Sequence, residues 1–490
     1  MTVTVVGGTL WHHAATADNA IALDDGERSV TWGALAARVE AEAARSMAGA
    51  GARVAIATTQ APAETLIRIL AAATGGQVAV VFDPSQQTLD PDRLSQRLGC
   101  VRVGEDPRPR GQAPSGAREA SAVDGPQGAD RPFYIGLTSG STGAPKAFQR
   151  SHGSWISSFA VCEHAFGLSA ADRVFVPGSL GHSLHLFGAI HAVHLGARLD
   201  VAGRFHPRRV VRRMADAATT VLYATPTQLQ MIVDAARRGD IALPALRRIL
   251  VSGAKWQGGD ARVAQACPNA ELHEFYGTSE TSFVTARRPG DPAGSVGRPL
   301  PGVDIAVRDA DGQPVPAGRA GTIWVRSAML FDRYVMGEEP ETRREGAWLT
   351  VGDRGWIGAD GALHLAGRAS RMLVTSGINV YAEEIESVLT AHPAVAQAAA
   401  FGRPDPLRGQ EIVAVVQPVA DRAPSDALAS DVLRHCRDRL APAKVPRVLT
   451  CLAQWPLTPG GKTDLAALRA RLDKEAMADD GPGLSGRGAA

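Results

Sequence analysis

Over residues 35–290, short apolar β-branched runs alternate with Ala/Arg-rich amphipathic segments, and this alternation narrows the possible folds more than any other feature. The runs are VAIA (54–57), VAVVF (78–82), RVFVP (173–177), TVLYATP (220–226) and RRILVSG (247–253). Each is almost wholly apolar instead of alternating, as expected for strands covered by helices on both faces. The expected class is therefore α/β. After about residue 291 the texture changes to short strands with frequent turns, such as VDIAVRDADGQPV with its Asp-Gly turn, TIWVR and GALHLAG. This predicts a small β-rich subdomain. From Met372 a compact unit follows, read as strand, turn and helix over LVTSGINVYAEEIESVLTAH, two strands over QAAAFG and EIVAVVQPV, and a helix over 425–440. Residues 106–130, which carry Pro, Gly and Ser with little apolar content, read as an exposed loop, and those after Met477 as a disordered tail.

The chain's 490 residues exceed what one ordinary core organises, so two or more domains are expected. With 52 basic against 50 acidic residues there is no charge footprint for nucleic acid or an anionic membrane. The five cysteines (100, 162, 267, 436 and 451) lie far apart with no CxxC pair, which argues against a disulfide framework and a zinc site. The first fifteen residues lack a signal-peptide pattern, and the most apolar early stretch, 66–82, is broken by Arg68 and the Gly75-Gly76 pair. The expectation is a cytoplasmic protein, monomer or homodimer, with no membrane or nucleic-acid partner.

Lysine is scarce. Only Lys146, Lys255, Lys444, Lys462 and Lys474 carry an ammonium among the 52 basic residues. One of them closes the strongest motif, Thr138-Ser139-Gly140-Ser141-Thr142-Gly143-Ala-Pro-Lys146, directly after the apolar FYIGL. Such a loop offers backbone N–H groups and hydroxyls to the oxygens of a polyphosphate, and Lys146 adds a point charge. It is not a Walker A loop, since the lysine sits between Pro145 and Ala147 instead of before Ser or Thr.

This stretch resembles the phosphate loop of the adenylate-forming superfamily: acyl-CoA synthetases, aryl acid ligases, adenylation domains and firefly luciferase. Further segments resemble that family's motifs, in its order. Tyr276-Gly277-Thr278-Ser279-Glu280 is similar to YGxTE, and Leu349-Thr-Val-Gly-Asp353 to RTGD with Val351 in the threonine place. Gly367-Arg368 and the run Ser376-Gly377-Ile-Asn-Val-Tyr-Ala-Glu-Glu-Ile-Glu386 resemble the hinge and the GxxVxPxEIE segment, with Ala382 for proline and Ser370 where aspartate is commonest. Pro456-Leu-Thr-Pro-Gly-Gly-Lys462 resembles PxTxxGK, and Ser252-Gly253-Ala254 follows a strand as the family's SGGA turn does. The resemblance covers roughly residues 20–470.

The resemblance implies a two-step acid–thiol ligase using ATP and Mg²⁺, with coenzyme A as co-substrate. It implies an adenylation core over 1–369, a mobile lid domain over 370–475 that pivots near Ser370, and a tail over 476–490. Glu280, with Thr142, would hold the metal; Tyr276 would face adenine; Asp353 and Arg368 would meet the ribose. Lys462 would stabilise the charge gathering between carboxylate and α-phosphate, and Ser376-Gly377 would line the pantetheine channel. His182, in Pro177-Gly-Ser-Leu-Gly-His182-Ser-Leu-His185, would gate the acyl pocket. The segment 179–188 contains no acid to hold an α-ammonium, which points to a fatty or aryl acid. No carrier-protein sequence follows Lys462, so a carrier acceptor would be a separate chain. Three readings remain beside CoA ligation: adenylation with transfer to a carrier thiol or an amine, luciferase-style oxidation of the adenylate, and a non-catalytic adenylate-binding relative.

Overall fold

The apolar runs become strands at Arg53–Ala57, Val78–Phe82, Arg173–Val176, Val221–Ala224 and Arg248–Val251. The computed structural model describes residues 3–479 except 47, 59–60, 85–89, 102–125, 140–144, 257–258, 289, 293, 369–370, 376–377, 406–407, 420–421 and 459–460. The described chain divides into two compact units, Met1–Leu365 with Pro459–Gly461, and Ala366–Thr458 with the residues from Lys462 onward.

Three sheets build the first unit. A nine-stranded sheet carries Arg173–Val176, Arg198–Val201, Val221–Ala224, Arg248–Val251 and Glu271–Thr278 as mutually parallel neighbours. All five residues of Val78–Phe82, in a second sheet, are buried, which is why that run contains no polar side chain. In that sheet Pro132–Ser139 and Pro145–Ser151 pair antiparallel around the phosphate-loop motif, and Arg333–Met336 pairs with the latter in the register Tyr334↔Phe148. The third sheet, six-stranded, is the β-rich subdomain and includes Asp304–Arg308, Gly321–Arg326 and Asp353–Ile357.

Helix boundaries follow local chemistry. Thr225 caps Pro226–Arg238 through a reciprocal box with Gln228, and proline occupies the first turn, where its missing N–H is harmless. Ser151 caps His152–Phe166, which ends at left-handed Gly167.

The second unit is α+β, with the hairpin Val395–Asp405 and Gly409–Pro418 at its centre and helices Ala382–Thr390, Asp426–Arg437 and Leu465–Asp479. Two sequence boundaries change. The predicted loop over 106–130 lies outside the described residues up to 125, but Pro126–Ala129 is a helical turn started by its proline. The final helix runs through residues 476–479, because Glu-Ala-Met-Ala continues a favourable helical sequence; residues 480–490 lie outside the described residues.

Candidate active site

Ligands of parallel sheets collect at the carboxyl ends of strands. At that edge Arg248–Val251 gives way to buried Ser252, then to Gly253 at φ +97°, a left-handed conformation that glycine tolerates best, and to exposed Ala254. The neighbouring parallel strand Glu271–Thr278 brings Tyr276, Gly277 and Thr278 to the same edge. Its register slips between Tyr276 and Gly277, and a Cβ on Gly277 would lie 1.7 Å from the Ser282 carbonyl oxygen, so the backbone can close here only without a side chain. Thr278 Oγ1 then accepts from the N–H groups of Glu280 (3.3 Å) and Thr281 (3.2 Å), a local turn that sets Glu280 just beyond the strand.

The motif residues converge. Tyr276 Oη donates to Asp353 Oδ2 at 2.5 Å, joining the YGTSE and LTVGD segments across 77 residues, and Asp353 is buried. Glu280 is buried as well, and its Oε1 accepts from the Tyr334 hydroxyl at 2.7 Å. Burial, and next the Glu280 charge, push the Tyr334 phenol well above its ordinary range, so it remains a donor. Ser279 Oγ lies 2.9 Å from Ser183 Oγ, which ties the turn to the helix Ser183–Leu195. Behind the turn, buried Arg150 donates to the carbonyls of Ser279 (3.0 Å) and Met329 (2.7 Å). Burial draws its guanidinium down to about 10, which leaves it charged at neutral pH.

On the second sheet Thr138 is the penultimate residue of the strand before the loop, and its buried Oγ1 meets no hydrogen-bond partner among the described residues. Lys146 is the second residue of the returning strand; its Nζ bonds Glu339 Oε2 at 2.5 Å and lies 5.3 Å from the Tyr334 ring centroid. Ser139 ends the same strand as Thr138, whereas Gly140, Ser141, Thr142 and Gly143 lie outside the described residues, as do Ser370, Ser376 and Gly377. His182 stands at the N-cap of Ser183–Leu195, 5.2 Å ring to ring from buried His185, which is held by Gln228 Oε1 at 3.1 Å.

In the second unit, Lys462 lies beside Thr463, which bridges to Leu457; its carbonyl accepts from the Thr458 N–H at 2.7 Å and its side chain is exposed. Trp455 Nε1 donates to Thr463 Oγ1 at 3.0 Å. Arg368 is exposed at the end of Leu363–Arg368. Lys444 forms a two-pronged bond to Glu384 at 2.7 and 2.8 Å, a structural use of the scarce ammonium.

Among the described residues no three His, Cys, Asp or Glu side chains gather into a metal cage. The buried carboxylate of Glu280, just beyond the strand end, suits instead a hard cation that arrives on phosphate oxygens, as Mg²⁺ does. No helix among the described residues is long and apolar enough to cross a membrane.

The AMP-binding enzyme family model matches residues 47–335, and the model of that family's C-terminal domain matches 384–462. The chain belongs to the AMP-binding enzymes. It is an enzyme of the acyl-CoA synthetase type. An uncharacterized acyl–CoA ligase of Bacillus subtilis (strain 168) is 37% identical over 70% of this chain and 70% of its own length. A putative long chain fatty acid–CoA ligase of Staphylococcus epidermidis is 34% identical over 56% of this chain and 57% of that protein. Among solved structures, an anthranilate CoA ligase in complex with anthranoyl-AMP shares the fold at TM-score 0.79 and 23% identity, covering 96% of this chain and 98% of the other. An amide bond synthetase from Marinactinospora thermotolerans aligns at TM-score 0.74 and 25% identity over 95% and 99% of the two chains.

In this AMP-binding enzyme the motif reading missed Arg150, Tyr334 and Glu339. Arg150 left one signal, a second cation four residues after Lys146 in the short strand Pro145–Ser151. Tyr334 left only its rarity as one of five tyrosines, and Glu339 left none.

Proposed function

We propose that this AMP-binding enzyme joins a fatty or aryl carboxylic acid to coenzyme A in two steps. The acid's carboxylate oxygen attacks the α-phosphorus of ATP, the bond to the β-phosphate oxygen breaks, and acyl-adenylate and pyrophosphate form. The CoA thiolate then attacks the acyl carbon, AMP leaves, and the thiol proton goes to solvent.

One observation carries the reading: Tyr276, which shares the YGTSE motif with buried Glu280, is hydrogen-bonded at 2.5 Å to buried Asp353 of the separate LTVGD motif. In this reading Tyr276 presents its face to adenine while its hydroxyl orients Asp353 toward the ribose hydroxyls. Arg368 adds a donor to the same sugar. Thr138, Ser139, Gly140, Ser141, Thr142, Gly143 and Lys146 receive the phosphates, and Ser252, Gly253 and Ala254 form the floor beside the nucleotide. Glu280, with Thr142, would hold Mg²⁺, which supplies charge neutralisation on the phosphates when bound. Lys462 places a compact ammonium between two anions, a task that the broad guanidinium plane of arginine performs poorly. The 370–475 domain serves both half-reactions, Lys462 acting in the first and the Ser376-Gly377 loop in the second. His182 gates the acyl pocket and serves as no base, since a carboxylic acid is already ionised at neutral pH. The relatives named for long-chain and aryl acids, together with an acid-free segment 179–188, support this substrate range.

The test is pyrophosphate release with MgATP across a panel of fatty and aryl acids, with hydroxylamine trapping of the adenylate and CoA added afterwards. At least one acid should release pyrophosphate, yield a hydroxamate and, with CoA, a thioester. ATP binding with no release across the panel overturns the ligase reading, and adenylate without a CoA thioester moves the acceptor to a carrier thiol or an amine. Lys462→Ala should lose about 10²-fold or more of adenylation yet still convert supplied acyl-adenylate to thioester.

A further inference from the structure

We propose that Tyr334 is a positioning residue for the Glu280 carboxylate, aiming it at the cation that accompanies ATP. The inference rests on the assignment of Glu280 made under the proposed function. Tyr334 is placed by strand pairing, since Arg333–Met336 runs antiparallel to Pro145–Ser151, the strand that leaves the phosphate loop. Its hydroxyl donates to Glu280 Oε1 at 2.7 Å and lies 3.4 Å from Thr342 Oγ1. Its ring lies under Lys146 Nζ, 5.3 Å away. One side chain thus touches the acid of the YGTSE turn and the lysine of the phosphate loop.

The backbone of the turn is held separately. Arg150 grips the Ser279 carbonyl at 3.0 Å, and the Phe331 N–H donates to the Glu280 carbonyl at 2.8 Å. With the main chain pinned, the remaining freedom of Glu280 lies in its side-chain torsions, and the phenol restrains them by holding one carboxylate oxygen. Groups that orient a metal's ligands in this way typically contribute about 10- to 100-fold in metal affinity. A purely structural tyrosine would instead affect stability and leave magnesium dependence alone.

The experiment compares the full chain with Tyr334→Phe, Thr342→Val and Glu280→Gln. Two quantities are read: the magnesium concentration giving half-maximal adenylation at fixed ATP, and Mn²⁺ binding in the presence of ATP followed by electron paramagnetic resonance. Tyr334→Phe keeps the ring and is expected to raise both the magnesium half-saturation and the Mn²⁺ dissociation constant about tenfold. Its melting temperature and its binding of ATP in EDTA should stay at parental values. Thr342→Val, which leaves the phenol but removes its second neighbour, should shift both readouts the same way by a smaller factor. If Glu280→Gln weakens metal binding while Tyr334→Phe and Thr342→Val do not, Tyr334 has no positioning role. If Glu280→Gln also leaves metal binding unchanged, the Glu280 assignment itself falls.

Discussion

Gly277→Ala is the sharpest local test of the site. A methyl group at this position would lie 1.7 Å from the Ser282 carbonyl oxygen and 2.9 Å from its carbon, both backbone atoms that cannot rotate aside. Separations under 3.0 Å are essentially never adopted by real Cβ atoms, so the strand pair Glu271–Thr278 and Ser282–Arg287 must part by more than an ångström. Overpacking of this kind costs about 1–3 kcal/mol, enough to lower the melting temperature by several degrees in a domain of this size. The functional cost is larger. Glu280 lies in the connection that these two strands share, and a misplacement of about 1 Å in a catalytic arrangement can cost about 10²-fold in rate. The expected result is a folded variant, detected by a cooperative melt, with adenylation reduced about 10²-fold in a pyrophosphate-release assay on its best acid. Adenylation within about threefold of the parent would refute the reasoning, because it would mean either that the turn opens freely or that Glu280 need not be held there.

Tyr276→Phe removes the 2.5 Å bond to Asp353 but keeps the aromatic face, so the KM for ATP should rise about tenfold with kcat nearly unchanged; steady-state kinetics with equal KM values would exclude Asp353 orientation as the role of the hydroxyl. Stability should fall with acid. Buried His152 accepts the Val6 N–H at Nδ1 (3.0 Å), and burial lowers it from its ordinary 6.5 to about 4. The unfolded chain therefore binds the extra proton first; the stabilisation is complete above pH 6.5 and is lost as the pH falls toward 4, on the order of 3 kcal/mol. Melting temperatures between pH 7 and 4.5 should drop less steeply in His152→Gln than in the parent, and parallel curves would remove His152 as a cause.

Local chemistry made much of this protein legible from its sequence. All-apolar runs such as VAVVF announce strands buried on both faces, since that reading depends on neighbours within a few residues. The ordered motifs likewise singled out Tyr276, Glu280, Asp353 and Lys462 as candidates, because each sits in a short segment whose residue types suit one chemistry. Their mutual contacts were not legible. Tyr276 meets Asp353 across 77 residues, Tyr334 meets Glu280 across 54, Arg150 meets Ser279 across 129, and Lys146 meets Glu339 across 193. Such pairs form only when segments distant in the chain pack together in space, and three of these four join segments that belong to different sheets. The scarcity of lysine shows the same division. Composition singled out five ammonium groups, but only tertiary structure shows that Lys444 is paired with Glu384 and that Lys462 is exposed. Sequence determines which groups are present and which segments are regular, whereas the register of packed sheets decides which groups meet, because side-chain chemistry acts over a few ångströms of space and not along the chain.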